Sequence, residues 1–254
     1  MKISIITTSY NSASTIRDTL RSIAAQDYPH VEHIIIDGGS TDETLNIVSE
    51  FPHVAKVVSE KDKGIYDAMN KGIQMATGDI IGILNSDDFY TNSQVISKVI
   101  TKMLANHSDA LYADLDYVDP VDTSVIVRTW KSGSFSMKKF HYGWMPPHPT
   151  FFVSRHIYEN HGLFDLSFKT AADYEIMLRF LLKYKIPVSY IPETIVHMRA
   201  GGHSNVSILH RLKANIEDSR AWKTNNLKPY LFTTLLKPAR KIHQFFPGKG
   251  KPKI

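Results

Sequence analysis

The sequence predicts an α/β fold, a mixed but mostly parallel sheet flanked by helices. Three observations predict it. Over the first ~90 residues, short apolar runs alternate with amphipathic stretches three times over, the rhythm of parallel strands joined by crossover helices. Apolar residues make up 43% of the chain, as in an ordinary folded globule. At 254 residues the chain holds one large domain, or one domain with an appendage.

Each element follows from its residues. "KISIITT" (2–8) reads as a first strand, with Ile3, Ile5 and Ile6 as its bulk. "SASTIRDTLRSIAAQ" (12–26) spaces Ile16, Leu20, Ile23 and Ala24 as a helix and offers a serine as N-cap. "VEHIIIDGGSTDETLNIVSEF" (31–51) repeats strand, Gly-rich turn and helix. Ser40 and Glu43 there stand at capping-box spacing, ahead of Leu45, Ile47 and Val48. "HVAKVVSE" (53–60) is a third strand. "GIYDAMNKGIQMATGD" (64–79) lines Ile65, Ala68, Met69, Gly72, Ile73 and Ala76 along one helical face. "DIIGIL" (79–84) is a fourth strand. The rhythm then changes: a helix around 94–106, a Tyr- and Asp-rich strand at 109–119, and a proline-stiffened aromatic strand with a short helix within 145–165. A helix at 171–184, with Asp173 in its first turn, leads to a strand and glycine turn at 188–204.

Composition narrows the function. The absence of cysteine removes disulfides, thiolate metal sites and cysteine nucleophiles, and suits a cytoplasmic protein. The opening "MKISIITTSYN" has no long apolar core, so no signal peptide is expected, and no 18 apolar residues run together to span a membrane. The net charge of +5 hides an asymmetry. From Arg220 onward there are nine Lys or Arg and no acid, which leaves −4 on residues 1–219. The tail "LKPYLFTTLLKPARKIHQFFPGKGKPKI" (227–254) mixes Leu, Phe and Tyr with unopposed cations. Such a segment either lies on an anionic bilayer or stays solvated, and Pro229, Pro238 and Pro247 break any long helix. Nucleic acid is disfavoured, because the body is acidic and carries no recognised binding motif.

Open α/β sheets bind ligands at the carboxyl ends of their strands. This chain places Thr8, Ser9, Tyr10 and Asn11 after the first strand, Asp37 after the second, Glu60 to Lys63 after the third, and "NSDD" (85–88) after the fourth. No G-x-G-x-x-G or P-loop is present, and Thr8 stands where a haloacid-dehalogenase phosphatase has its aspartate nucleophile. "NSDD" alone reads equally as a solvated turn or as a divalent-metal site. Twelve histidines show no H-E-x-x-H.

Taken together, "IITTSYNSASTIRDTLRSIAAQDYPHVEHIIIDGGSTDET", "KGIYDAMNKGIQMATGDIIGILNSDD" and "AADYEIMLR" resemble a family 2 glycosyltransferase of the GT-A fold, whose sheet is Rossmann-like. The resemblance covers roughly residues 1–205. It implies a nucleotide-sugar-binding half at 1–90, an acceptor-binding and catalytic half at 91–219, and the basic tail at 220–254 as an addition. It implies that Asp37 holds the uracil and ribose end of the nucleotide, that Thr8, Tyr10 and Asn11 line the base, and that Asp62 and Lys63 close over it. Asn85 and Ser86 join that donor site, Asp87 ligates Mn²⁺ or Mg²⁺ with Asp88 in support, and His197 is a candidate third ligand. Asp173 matches the general base, and Gly201, Gly202 and Ser204 the turn that closes the site.

Two departures from the family pattern matter, while a third, Thr7 in place of a proline common in this turn, is neutral. Asn85 stands where many relatives have an Asp, and Ala172 where they often have another acid. The expected activity is inverting transfer from a UDP-sugar to a hydroxyl of a glycan or lipid-linked acceptor, in bacterial surface polysaccharide or glycoconjugate assembly, on the inner face of the cell membrane. Two alternatives stay open: a nucleotide-sugar-binding module without turnover, and a sugar nucleotidyltransferase, which should carry a Gly-rich loop that "TTSYNSAST" lacks. Asp67 reads as a solvated or helix-supporting acid, Asp114 and Asp116 as one strand face, solvated in preference to lying near the acceptor, and His148 as either acceptor pocket or packed core.

Overall fold

Runs rich in Ile and Val, separated by helix-length segments, give four strands that all run the same way. These are β1 (Ile3–Ser9), β2 (Val31–Asp37), β3 (Val54–Ser59) and β4 (Ile80–Ile83), joined by α1 (Ile16–Ala24), α2 (Thr44–Ser49) and α3 (Ile65–Met75). The chain continues through β5 (Asp88–Tyr90), α4 (Val95–Ala105), β6 (Ala110–Val118), β7 (Ile126–Trp130) and α5 (Met137–His141). It ends with β8 (Phe152–Ser154), α6 (Arg155–His161), α7 (Ala172–Leu178), β9 (Val188–Arg199) and α8 (Ile208–Thr224). The computed structural model describes residues 1–201, 208–233 and 236. Gly202, Ser204 and the tail beyond 236 lie outside the described residues.

The strands form one mixed sheet in the order β3-β2-β1-β4-β8-β6-β9-β5, with β7 paired to β6. β8 runs antiparallel to both β4 and β6, and β6 runs parallel to β9. The reversal at β8 therefore turns β6 and β9 back into the direction of β4. The carboxyl ends of β1, β2, β3, β4, β6 and β9 consequently share one edge, where an α/β sheet binds ligands.

Both faces are covered, which is why β1, β2 and β4 are buried at nearly every position. On one face Ile6, Ile34, Ile36, Ile81 and Ile83 meet α3, α6, α7 and α8. On the other, Ile3, Ile5, Ile80 and Leu84 meet α1 and α4, while Ile35 packs with Ile16, Leu20 and Val48 of α1 and α2. Gly72 lets α3 lie directly on β1: a Cβ there would fall 2.4 Å from Ile6 Cγ2.

Several local expectations change. The Ser40–Glu43 capping box does not form, because Ser40 Oγ accepts from Asn11 N and donates to Asp37, and so is turned away from the helix N–H groups. Asp42 instead accepts from Thr44 N at 3.0 Å, and α2 starts at Thr44. The helix expected over 171–184 is α-helical only to Leu178 and then widens into a π turn over Arg179–Lys183. Asp114 and Asp116 are not a solvated face: they are 6% and 7% exposed, because β6 runs through the middle of the sheet.

Candidate active site

Short polar side chains stitch the carboxyl edge together. Asp37 ends β2 and is fully buried. Its Oδ1 accepts from Ser9 Oγ at 2.9 Å and Ser40 Oγ at 2.5 Å. Its Oδ2 accepts from Gly39 N at 3.1 Å, Ser40 N at 2.8 Å and Ser59 Oγ at 2.7 Å. Burial pushes the carboxyl up, but these donors outweigh it and hold the group below the ordinary carboxylate range. Asp37 thus ties the ends of β1, β2 and β3 into one rim. A ligand reaches its oxygens only by displacing one of those donors.

The neighbouring loops close on the same rim. Asn11 takes a left-handed backbone (φ 46°), donates its N–H to Ser40 Oγ at 2.8 Å, and accepts from Thr41 N at 2.9 Å. Thr8 Oγ1 donates to Asn85 Oδ1 at 3.2 Å, and Ser12 Oγ lies 2.8 Å from Ser86 Oγ. A Cβ on Gly38 would meet Asp62 Oδ2 at 2.8 Å and the Tyr10 ring at 3.5 Å, so the loops after β1, β2 and β3 converge there. Tyr10 is 63% exposed, a ring held open to solvent. Lys63 is exposed, and its N–H donates to Asp67 Oδ2 at 3.0 Å, so Asp67 supports the start of α3 as expected.

The two acids of "NSDD" part company. Asp87 is half-buried, and its carbonyl accepts from Arg199 Nη1 at 2.8 Å. Asp88 begins β5 with no exposed surface, and among the described residues neither of its carboxylate oxygens has a hydrogen-bond partner of ordinary geometry. Burial, then the charge of Asp87, pushes the Asp88 carboxyl well up; Arg199 and the Asn85 side chain pull the other way. Arg199 also pairs with Asp18 of α1 and lies 5.2 Å over the Phe89 ring.

His197 does not join Asp88. Across β6, β9 and β5, Asp116, His197 and Phe89 form one row, and Tyr117, Met198 and Asp88 form the next. Adjacent rows point to opposite faces of a sheet. His197 therefore faces Asp116, whose charge partly offsets the depression that burial imposes on the imidazole. Among the described residues no three His, Cys, Asp or Glu side chains are grouped to hold an ion.

Asp173 stands in the first turn of α7. Tyr66 Oη, from α3, donates to its Oδ1 at 3.3 Å. Burial and then the charge of Asp173 push the Tyr66 phenol up, so it stays a donor. His148, whose imidazole burial holds neutral against the opposing pull of Asp173, packs edge-on to Phe164 at 5.8 Å. Phe164 stacks on Tyr66 at 5.5 Å, completing an apolar wall beside the carboxylate. From α8, Glu217 accepts the backbone N–H groups of Lys169, Thr170 and Ala171 at 2.8–3.2 Å, and the Thr170 hydroxyl at 2.8 Å. That clamp fixes the segment leading into Asp173. Burial pushes the Tyr117 phenol up, against the opposing pull of Arg128, and the charges of Asp88 and Asp173 add to the rise.

The family described as glycosyl transferase family 2 matches residues 4–162. The chain belongs to that family. An uncharacterized glycosyltransferase of Mycobacterium tuberculosis is 34% identical over 185 residues, 71% of this chain and 69% of the relative. A PGL/p-HBAD biosynthesis glycosyltransferase of Mycobacterium bovis is 29% identical over 210 residues, 81% of this chain and 80% of the relative. Among solved structures, the chain resembles Staphylococcus aureus TarS 1–349 in complex with UDP-GlcNAc (TM-score 0.65, 20% identity, 87% of this chain and 69% of that one). It spans 41% of the longer TarS chain. A Pyrobaculum calidifontis mannosyltransferase in complex with GDP-Man and Mn²⁺ is similar too (TM-score 0.66, 19% identity, 95% and 70%). These likenesses bear out the GT-A fold and a glycosyltransferase.

For this family 2 glycosyltransferase, sequence reading missed Tyr66, Arg199 and Glu217. Tyr66 reads as one more residue of an amphipathic helix. Arg199 and Glu217 lie 112 and 44 residues from Asp87 and Asp173, and only folding reveals their partners. Among the described residues no helix is long and apolar enough to cross a membrane.

Proposed function

We propose that this glycosyltransferase moves the sugar of a UDP-sugar onto a hydroxyl of a glycan or lipid-linked acceptor, with inversion and with Asp173 as the general base. The observation that carries this reading is the Tyr66–Asp173 contact, which holds one carboxylate against an apolar wall on the ligand-binding side of the sheet. The relatives named for PGL/p-HBAD biosynthesis and the TarS complex with UDP-GlcNAc support the setting and the donor.

In this reading residues 1–90 bind the donor and 91–219 the acceptor. Tyr10 stacks on the base, and Thr8, Asn11 and Ser86 line the nucleotide. Asp62 and Lys63 close over it, the Lys63 ammonium facing phosphate. Asp37 shapes the nucleotide end of the pocket through Ser40, which gives a ribose or uracil group a place to compete for its oxygens. Asp173 accepts the acceptor's proton as its oxygen attacks the anomeric carbon, an effect of roughly 10²–10⁴-fold for a well-placed base. A single displacement assisted by one base inverts the anomeric centre.

The donor set fits Mn²⁺ or Mg²⁺ sparsely. Such ions commonly take one or two carboxylates plus substrate phosphates, and Asp87 with the neutral Asn85 offers about that much. Asp87 would hold the ion; Asp88, buried and turned to the other side from His197, would support it electrostatically. When bound, the ion would neutralise charge building on the leaving diphosphate.

Calorimetric titration with UDP, with and without Mn²⁺, on the natural protein and on Asp87→Ala tests the donor site. UDP binding that needs the metal and collapses in Asp87→Ala is the expected result; binding indifferent to both returns "NSDD" to a turn. Release of UDP from a UDP-sugar, lost in Asp173→Asn, separates an enzyme from a binding module. Consumption of a nucleoside triphosphate would instead identify a nucleotidyltransferase.

A further inference from the structure

The chain's two longest stretches without an acidic residue are 123–158 and 219–254, each 36 residues. They meet on one face. α5 comes from the first stretch, and the turn 230–232 from the second. Tyr230 packs on His141 at 4.6 Å and on Tyr142 at 5.8 Å, and Phe232 on Tyr142 at 6.0 Å. Thr233 locks the turn: its Oγ1 donates to the His141 carbonyl at 2.6 Å and accepts from Tyr230 N at 2.9 Å.

What this fixed knuckle presents is unusual for a water-facing surface. Leu231 at its tip is 101% exposed, and Tyr230, Phe232, Tyr142 and Met137 of the same two segments are 44–46% exposed. Lys138, one helical turn from Tyr142, and Lys228 are also exposed. An apolar tip on an amphipathic aromatic collar with cations around it matches the physical demands of a membrane interface. A second copy of the same face would bring like charges together, which disfavours self-association there.

We propose that this knuckle, built by α5 and residues 230–232, is a membrane-docking surface that inserts Leu231 into an anionic bilayer. It deepens the reading of a lipid-linked acceptor and rests on it for its purpose, while locating the contact in the folded domain rather than in the tail alone. The face connects directly to the catalytic helix: Phe140 of α5 packs 6.3 Å from Tyr174, the neighbour of Asp173.

The test is flotation of the full chain with vesicles of phosphatidylcholine alone or with phosphatidylglycerol, using Leu231→Asp and the double variant Lys138→Glu/Lys228→Glu. The tail is intact in every variant. Expected is binding to the anionic vesicles only, weakened about tenfold in each variant. Leu231→Trp gives a second readout, a blue-shifted emission that brominated lipid quenches. UDP binding without vesicles, unchanged in all variants, shows that the fold survives and keeps failure of docking separate from failure of the transferase reading. Wild-type vesicle binding by Leu231→Asp, or an unshifted Leu231→Trp emission on bound vesicles, would overturn the proposal in favour of the tail. Absence of vesicle binding together with a dimer that Leu231→Asp dissolves would overturn it in favour of a second copy.

Discussion

Tyr66 Oη reaches Asp173 Oδ1 across 3.3 Å, joining α3, which follows the donor-side loops, to α7, which carries the proposed base. The two residues are 107 positions apart in the chain. Removing Asp173 as Asn is expected to cost roughly 10²–10⁴ in kcat with UDP affinity retained. Tyr66→Phe keeps the ring stacked on Phe164 and loses only the hydroxyl, so about tenfold in kcat is expected. Steady-state kinetics with calorimetric UDP affinity checks both; equal losses in affinity and kcat would assign the pair to donor binding instead.

Glu217 should behave as a positioning residue. Burial disfavours its charge, yet the donors of Lys169 and Thr170 hold its carboxyl below the ordinary range. Glu217→Ala frees three backbone N–H groups and loosens the approach to Asp173. The expected effect is a fall in kcat of about tenfold with KM for the donor unchanged, and partial rescue in Glu217→Gln. A loss of folded protein without a kcat effect in the remaining fraction would make the role purely structural.

Asp88→Asn should stabilise the metal-free protein. A buried acid raised above its unfolded value binds its proton more tightly in the native state, so it weakens folding progressively as pH rises from about 3.8 toward the raised value. The gain is expected at about 1–3 kcal/mol at neutral pH, shrinking toward pH 4. Urea melts of the two proteins across that range measure it; a variant less stable at pH 7 would contradict it.

His33 gives the opposite sign. It is fully buried in β2, with Thr7 Oγ1 at 3.0 Å and His53 at 3.1 Å. Burial, then His53, pulls the imidazole down to about 3. Between pH 6.5 and 3 the unfolded chain takes up a proton that the native protein refuses, so stability falls as pH falls through that window. The slope should be shallower in His33→Gln, by up to about 1.4 kcal/mol per pH unit below 6.5. Parallel slopes in chemical denaturation at pH 7 and pH 5 would rule this out.

The sequence by itself determined the three β/α alternations, the acid-loaded strand ends and the family, because period-2 and period-3.6 burial and turn chemistry are local properties. It also marked Asp173 and "NSDD" as the residues to watch. Only the tertiary structure decided what those carboxylates face. Asp37 is spent on five donors from β1, β3 and the loop after β2; Asp88 is turned from His197 by one step of strand register; and Asp116 is enclosed between Thr129 of β7 and His197 of the distant β9. Tyr66, Arg199 and Glu217 acquire their partners across 46 to 181 residues of chain. Charge, burial and hydrogen bonding at a site are set by which segments meet, and the sheet order that brings them together is a property of the whole chain.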